Sequence, residues 1–390
     1  MENERYHYNE ATGQLIIKDG VTKINDEEFK DWIDLKHVVF SDSVTSIGES
    51  SFQGCKRLRE IYLPDSVTSI GNHAFHNCRS LEEIRWSEGL TSIGEYAFTY
   101  CKSLEGVYLP DSVTEIGGYA FWRCYNLEEV YLPNSVTEIG RCAFEGCTNL
   151  REIYLPESVT SIGEYAFRYC KSLEGVYLPE SVTEIGISAF WKCYNLEEIY
   201  LPDGVTKIDG VFSECINLKE VHLPEILKYI GDGTFSGCVN LKEVHLPDSV
   251  TLIGERAFAN CNSLEKITLP EGVTSIGKSA FECCTNLREI YLPESVTSIG
   301  DWTFFDTSLR KIHLPDSLTK IGNFAFCGCK SLTEIKIPNS VTSIGESAFY
   351  GCTGLKKIVY HKKTEQLLRE CFRDQWDKLT KDILEYKICD

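Results

Sequence analysis

One phrase of about 23 residues recurs roughly fifteen times along this chain of 390 residues, and it constrains the fold more than any other feature. Its fullest form reads L-E-E-I-Y-L-P-x-S-V-T-S-I-G-E-x-A-F-x-x-C. A period of 20 to 29 residues with Leu and Ile at fixed places is typical of a solenoid, in which each repeat forms one coil and neighbouring coils stack. The repeat therefore predicts one elongated domain, although a globular chain of this length would usually form two or three domains.

The first half of each copy predicts a short strand. In the copy that begins at Leu58, Ile61 and Leu63 alternate with Glu60 and Tyr62, so the apolar pair should point inward and the polar pair outward. Strands of stacked coils would pair into a parallel sheet. All twelve prolines of the chain follow this strand, where the missing N–H would end the pairing.

The second half of each copy predicts a second extended segment and then a short helical turn. Val67 and Ile70 continue the apolar pattern, and Phe75 and Cys78 lie three residues apart on one face of the predicted turn. Between them an Ile-Gly step recurs, and we expect this glycine to need a positive φ. Asn25 and Asp209, which replace it in two copies, belong to the residue types that best tolerate that region.

Thirteen of the eighteen cysteines occupy the same place in successive copies. The favoured interpretation is a buried column of reduced thiols, because free cysteine is among the most buried residue types. Stacked disulfides are a second interpretation, since neighbouring coils would lie about 4.8 Å apart. A metal site is a third, although zinc sites use paired cysteine knuckles and only Cys283-Cys284 and Cys327-x-Cys329 resemble one.

The motif L-x-x-I-x-L-P-x-x-V-x-x-I-G-x-x-A-F-x-x-C resembles the leucine-rich repeat of the BspA or Treponema type, over roughly residues 20–360. The resemblance implies an α/β-type solenoid. It would be a right-handed superhelix of about fifteen coils of 22–23 residues, with a parallel concave sheet and short helical turns on the convex side. It also implies a surface protein of bacteria or parasitic protists that binds host or neighbour-cell proteins, without shared catalytic residues.

The ends of the chain depart from the repeat and predict caps for a solenoid whose ends are open. Residues 1–20 predict an N-terminal hairpin cap, residues 21–360 the leucine-rich repeat solenoid, and residues 361–390 a C-terminal helical cap. Leu368, Phe372, Gln375, Trp376, Leu379 and Ile383 follow helical spacing. A partner-binding helix is the alternative interpretation of this segment.

The outward positions of the predicted strands give the candidate binding residues. Tyrosine fills one of these positions in five adjacent copies, with glutamate beside it, and such rings provide rigid contact area with a polar tip. Simple packing of neighbouring rings and stacking against a sugar are the alternative interpretations. The candidates are Tyr62, Tyr108, Tyr131, Tyr154, Tyr177, Tyr200, His222, His245, Glu129, Glu152 and Glu198.

A second aromatic group lies in the predicted turns and includes Trp122 and Trp191. Residues 101–132 and 170–201 are nearly identical and lie 69 positions apart, which is three copies of the repeat. The two tryptophans therefore occupy matching positions, and one inherited packing role could explain both. If the strand tyrosines do not bind the partner, this surface is the next candidate.

Composition narrows the class of function. The net charge of −19 argues against nucleic acid and anionic membranes as partners, because phosphate binding needs a basic face. No G-x-S-x-G, Walker or H-E-x-x-H motif is present, so we expect no enzyme, cofactor or metal site. The start of the chain lacks a secretory signal pattern, which favours the cytoplasm. A secreted or surface location is the alternative if a signal was removed.

The sequence therefore predicts a non-enzymatic protein-binding scaffold, and adhesion or host interaction through the concave face is the leading version. An intracellular inhibitor or immunity-type protein that binds a basic partner is the first alternative. A carbohydrate-binding surface is the second.

Overall fold

The computed structural model describes residues 3–372 and 384–386 and divides into two compact units, Met1–Leu196 and Glu197–Asp390. Each unit is a stack of coils, about fifteen in the whole chain. Every regular coil consists of a three-residue strand, a two-residue strand and a run of hydrogen-bonded turns. The parallel solenoid that the repeat predicted is confirmed.

The three-residue strands of the first unit pair in parallel, and paired residues occupy the same place in successive copies of the repeat, as Val107 with Val130. They form one sheet with the N-terminal hairpin and two sheets of two strands. The strands are Tyr6–Asn9, Gln14–Ile17, His37–Val39, Glu60–Tyr62 and Glu83–Arg85, then Gly106–Tyr108 with Glu129–Tyr131, and Glu152–Tyr154 with Gly175–Tyr177. Their middle residues are buried and their outer residues mostly exposed, as alternation predicts.

The two-residue strands of the first unit form a second parallel ladder, divided into sheets of five and three strands, and their isoleucine is always buried. Each Ile occupies the position before the repeat glycine, so this ladder supplies a second wall of the core. The strands are Lys23–Ile24, Ser46–Ile47, Ser69–Ile70, Ser92–Ile93, Glu115–Ile116, Glu138–Ile139, Ser161–Ile162 and Glu184–Ile185.

The second unit has the same two ladders. Its longer strands are Glu198–Tyr200, Glu220–His222, Glu243–His245, Lys266–Thr268, Glu289–Tyr291, Lys311–His313, Glu334–Lys336, Lys357–Tyr360 and Leu384–Tyr386. Its shorter strands are Lys207–Ile208, Tyr229–Ile230, Leu252–Ile253, Ser275–Ile276, Ser298–Ile299, Lys320–Ile321 and Ser343–Ile344. A 3-10 helix at Lys362–Thr364 leads into an α-helix at Glu365–Phe372.

A column of stacked phenylalanines runs through the core of each unit. In the first unit Phe52 and Phe75 have ring centroids 5.2 Å apart and an interplanar angle of 3°. In the second, Phe258 and Phe281 are 5.4 Å apart at 2°. Most of these rings have no exposed surface, so one ring per coil links each coil to the next through offset stacking.

The turns are not the short helices that the sequence predicted, and this expectation was wrong. In the coil of Phe75, both His73 and Asn77 have positive φ values, 55° and 63°. The N–H of Phe75 donates to the carbonyl of Ala97 in the next coil at 2.8 Å, whereas the N–H of Cys78 donates back to Phe75 at 3.2 Å. The turns thus form a third ladder between coils, and pairing with the next coil replaces the bonds that a helix would make within itself.

The repeat glycines do not have positive φ, so the reason given for them from the sequence was also wrong. The structure instead packs each glycine against the backbone of the coil before it. A Cβ on Gly117 would lie 2.6 Å from the Glu95 nitrogen and 2.7 Å from the Gly94 carbonyl carbon. Any side chain would therefore force the coils apart. Asn25 and Asp209 are likewise absent from the described residues with positive φ.

The two ends of the chain have the following structure. Tyr6–Asn9 and Gln14–Ile17 form an antiparallel hairpin whose Tyr8 ring lies 4.6 Å from that of Trp32.

Near the other end, Phe372 of the α-helix stacks on Phe349, with ring centroids 5.9 Å apart. Leu384–Tyr386 is a strand that pairs in parallel with Lys357–Tyr360, so the predicted helix does not extend to these three residues. A three-residue L-E-Y segment can alternate as a strand, and the last paired strand offers it a free edge.

Candidate functional site

The candidate binding tyrosines of the first unit project from the longer strands into solvent. Because successive side chains of a strand point to opposite faces, burial of Val107, Val130, Ile153 and Val176 turns the residue after each of them outward. The exposed fractions range from 50% to 58% across the four tyrosines that follow. We call this row the tyrosine face: Tyr108, Tyr131, Tyr154 and Tyr177. Tyr62 is also exposed on a longer strand of this unit.

Neighbouring rings and carboxylates hold the tyrosine face in place. Tyr154 and Tyr177 stack with ring centroids 4.3 Å apart at an interplanar angle of 4°. The Tyr154 hydroxyl donates to Glu152 at 2.8 Å, and the Tyr108 hydroxyl donates to Glu129 of the next coil. The hydrogen bonds to these carboxylates raise the pKa of both phenols. The face therefore presents neutral phenols whose hydroxyl groups are oriented by neighbouring carboxylates.

Two glycines explain why the tyrosines differ in their hydrogen-bonding and stacking partners. Gly106 and Gly175 occupy the place that glutamate fills on other longer strands. A Cβ on Gly106 would lie 2.6 Å from Cε2 of Tyr108, so the ring covers this glycine. Tyr108 has no glutamate two residues before it and reaches across to Glu129 instead. Tyr177 covers Gly175 in the same way and stacks on Tyr154.

In the second unit, Tyr200, His222 and two glutamates form one cluster. The Tyr200 and His222 rings stack at 3.9 Å and 2°, and the Tyr200 hydroxyl donates to Glu198. His222 Nε2 lies 3.2 Å from one oxygen of Glu198 and 3.2 Å from one of Glu220. The hydrogen bond from Tyr200, with a smaller contribution from His222, lowers the pKa of Glu198.

The same cluster is the group of side chains in the described part of the chain that could hold a metal ion. Donor atoms of Glu198, Glu220 and His222 lie within 4.8 Å of one another. An imidazole nitrogen and two carboxylates suit several divalent cations. All three donors are exposed or half-buried and already contact one another, which is the arrangement of an ordinary surface ion pair.

A groove of about 770 Å³ lies over three longer strands of the second unit. His222, His245 and Thr268 line it from the outward positions, with Glu220 and Glu243 beside them. His245 is exposed on its strand. The sequence predicted His222 and His245 as members of one outward column, and the groove lies over that column.

The cysteine column is buried, as the favoured interpretation of the sequence predicted, except that its last member, Cys352, is half-buried. The seventeen described cysteines are all free, and the Cys78 thiol donates to the carbonyl of Phe52 in the preceding coil at 3.2 Å. Burial raises the pKa of Cys55 and of Cys124 to about 12. Such thiols carry almost no thiolate at neutral pH and are poor nucleophiles and poor metal ligands.

Comparison with known proteins shows the family. The BspA type leucine-rich repeat region, in its six-copy form, matches residues 2–128, 114–211, 209–329 and 303–383. The chain therefore belongs to the BspA-type leucine-rich repeat family. No functionally curated protein matches it.

Solved structures include similar proteins. A leucine-rich repeat protein from Bacteroides ovatus is 30% identical, with 98% of each chain covered and a TM-score of 0.68. A leucine-rich repeat protein from T. pallidum is 32% identical over 49% of this chain and 86% of its own, with a TM-score of 0.38. A leucine-rich cell surface protein from Faecalibacterium prausnitzii is 24% identical over 100% of this chain and 95% of its own, with a TM-score of 0.46.

The family and the fold define the chain as a leucine-rich repeat scaffold, which is consistent with a role in protein interaction. Within the described residues, no helix has both the length and the apolar character needed to cross a membrane.

Proposed function

We propose that the chain is a non-enzymatic adhesion or host-interaction scaffold, and that the tyrosine face of the first unit binds a protein partner. The observation that carries this proposal is the row of four tyrosines on two pairs of parallel strands, with each tyrosine at least half exposed. Tyrosine combines a large apolar ring with a polar tip and is enriched at the centres of protein interfaces.

Rigidity supports binding by this face. Strand pairing fixes the backbone, and stacking and the phenol–carboxylate hydrogen bonds fix Tyr154 and Tyr177. Little side-chain entropy would be lost on docking, so contact area converts to affinity more efficiently. Four coils at about 4.8 Å give a strip of roughly 14 Å, which is enough for the centre of an interface of standard size.

The carboxylates on the face indicate the charge of the partner. The carboxylates of Glu129 and Glu152 accept hydrogen bonds from the tyrosines. A partner that places Lys or Arg opposite them would associate faster, and the association rate would fall with added salt. The stacking of Tyr154 on Tyr177 covers one face of each ring, which favours a protein partner over sugar stacking at that pair.

An intracellular inhibitor of a basic protein is the second candidate. The free, buried cysteine column is the observation that favours it, because reduced thiols persist in the cytosol. The same tyrosine face would serve either role, so the compartment that contains the partner distinguishes them.

Crosslinking from the tyrosine face tests the proposal. A photoreactive amino acid at position 131 should capture a protein from host extracellular material, or from cell lysate if the second candidate is right. The variant Tyr131→Ala/Tyr154→Ala/Tyr177→Ala should weaken binding of the captured protein at least tenfold, which corresponds to about 1.4 kcal/mol. Tyr229→Ala/Tyr350→Ala is the matched control, because it removes two exposed rings from other places.

The proposal fails if the triple variant, with an unchanged melting temperature, binds the captured protein as tightly as the control does. Capture at position 131 that is equally strong from every source would indicate a merely sticky surface and would also refute it.

A further inference from the structure

The turns of the first unit form a basic surface on an acidic protein. In the six turns between residues 71 and 196, from each repeat glycine to the next conserved leucine, there are seven Lys or Arg and three Glu, although the whole chain has a net charge of −19. Two of these glutamates are already engaged, Glu145 with Arg168 at 3.5 Å and Glu164 with Arg141 at 3.6 Å. The turns therefore carry more positive than negative charge.

Aromatic rings contact five of these cations, in two clusters. In the first cluster, Lys102 Nζ lies 5.2 Å from the ring centre of Tyr125, and Arg123 lies 4.5 Å from that of Trp122. Arg123 also donates to the Tyr100 hydroxyl at 2.8 Å. Cation–π contacts of this kind orient the charge but leave its outward N–H groups able to bind an anion. We call this cluster module 1: Tyr100, Lys102, Trp122, Arg123 and Tyr125.

A similar arrangement occurs three coils later. It contains one additional cation, because Arg168, which pairs with Glu145, lies 4.1 Å from the ring centre of Trp191, whereas the matching residue of the first copy is Thr99. Lys171 Nζ lies 5.7 Å from the ring centre of Tyr194, and Lys192 Nζ lies 5.2 Å from that of Trp191 and 5.3 Å from that of Tyr169. We call this cluster module 2: Tyr169, Lys171, Trp191, Lys192 and Tyr194. With coils about 4.8 Å apart, the modules are separated by roughly 14 Å.

The two modules have the same chemistry in both copies, although residues 101–132 and 170–201 differ at five of their 32 positions. Gly118 and Tyr119 of the first copy correspond to Ile187 and Ser188 of the second. Within the modules the one change is Arg123 to Lys192, which preserves the positive charge. Packing alone would not require a cation at this half-buried position, so the retained charge points to a ligand.

We propose that modules 1 and 2 together bind a linear anionic polysaccharide, whose sulfate or carboxylate groups the four cations contact. Two like modules at a fixed separation suit a ligand that repeats the same anionic unit along its length, which a folded protein does not. Duplex nucleic acid carries about one charge per 1.7 Å, far denser than these cations, and the acidic remainder of the chain would repel it. The site is separate from the tyrosine face, which lies on the longer strands.

Heparin, as a soluble sulfated polysaccharide, is the probe for this proposal. The full chain should bind heparin. Binding releases counterions from the polysaccharide, so added salt should oppose that release and weaken the binding. Lys102→Gln/Arg123→Gln and Lys171→Gln/Lys192→Gln should each raise the Kd at least tenfold. The four substitutions together should raise it at least a hundredfold, since simultaneous contact with two modules gives gains of about that size or more.

The matched control is Lys207→Gln/Lys320→Gln, which removes two exposed lysines from the shorter strands of the second unit. This variant should bind heparin like the unaltered chain, as should the charge-preserving Arg123→Lys. If the four-substitution variant lacks a normal melting transition, Lys102→Gln/Lys171→Gln decides in its place, with a rise in Kd of at least tenfold.

Three results would overturn the proposal. The first is no binding of heparin by the full chain at low salt. The second is an equal loss of affinity in the module variants and the control, which would mean that net charge alone is responsible. The third is binding of single-stranded DNA or polyglutamate as tight as that of heparin at the same salt concentration, which would mean that the ligand class is wrong.

Discussion

Replacing one repeat glycine by alanine tests how the coils of this solenoid approach each other. At Gly117 the new Cβ would lie 2.6 Å from the Glu95 nitrogen, 2.7 Å from the Gly94 carbonyl carbon and 3.0 Å from the Glu95 Cα. Carbon atoms in contact prefer about 3.5 to 4.0 Å, so the overlap is close to 1 Å. Every atom met is backbone, and the Gly117 N–H is fixed by a 2.8 Å hydrogen bond to Ile93.

The expected loss of stability follows from two opposing effects. Overpacking of this kind costs about 1 to 3 kcal/mol, and the rigid backbone places Gly117→Ala at the upper end of that range. Alanine also restricts the unfolded chain more than glycine does, and this loss of conformational entropy stabilises the folded state by about 0.4 to 1 kcal/mol. We therefore expect a net loss near 2 kcal/mol, or a fall in melting temperature of roughly 4 to 8 °C if about 200 residues unfold together.

Thermal unfolding followed by circular dichroism measures the effect, and the neighbouring residue is the control. A Cβ on Gly118 would meet one atom, the Arg141 oxygen, at 3.3 Å, so Gly118→Ala should change the melting temperature little. Gly117→Asn separates close approach from a requirement for positive φ, because asparagine tolerates the left-handed region but is larger than alanine. Equal melting of the two alanine variants, or a more stable Gly117→Asn than Gly117→Ala, would refute the close-approach explanation.

Three further predictions concern the core and the C-terminal end. Thiol titration of the native protein should find few reactive groups and nearly all eighteen after denaturation, and a mostly oxidised protein in non-reducing mass spectrometry would contradict this. Burial raises the pKa of Cys55 and Cys124 above the unfolded value of about 9. The contribution of these neutral thiols to the stability of the folded state is therefore complete below pH 9 and is lost as the pH rises towards 12. The urea midpoint of unfolding should fall over that range, and it should fall less in Cys55→Ala/Cys124→Ala. Removal of residues 364–390 should cause aggregation or a clear fall in melting temperature, since burial of Leu368 and Phe372 stabilises the fold by roughly 3 to 6 kcal/mol. An equally stable and soluble truncated protein would be evidence against a capping role.

The strands and the core could be predicted from the sequence because they depend on period and alternation alone. Ile61 and Leu63 are buried while Tyr62 is exposed, and Phe75 and Cys78 are fully buried, as their positions indicated. The turns could not be predicted in the same way. Their positive φ values fall on residues such as His73 and Asn77, which carry no common side-chain signal. Hydrogen bonds to the next coil, as from His73 to Glu95, support these strained positions, and a single copy of the repeat does not reveal them.

The glycine column shows a second limit of the sequence. Both a positive φ and a close backbone contact select glycine, so residue identity alone did not distinguish them. Only the distance from Gly117 to the preceding coil decides between the two explanations. The exposure of the tyrosine face was predictable from alternation, but its partners were not. Tyr108 turns to Glu129 because Gly106 provides no carboxylate, a choice that depends on the position of the next coil.

The two surfaces proposed for the first unit can evolve and be altered independently because the core between them is continuous. One coil places Tyr108 on a longer strand and Arg123 in a turn, and buried residues such as Val113 and Phe121 lie between these segments in the chain. Contacts of a solenoid are made mainly with the adjacent coils, so a surface substitution disturbs few others. Distant substitutions without shared partners have additive effects. Duplication of three coils therefore extends a protein-binding row and repeats a cation module in one step, while the stacked phenylalanines keep the new coils in register.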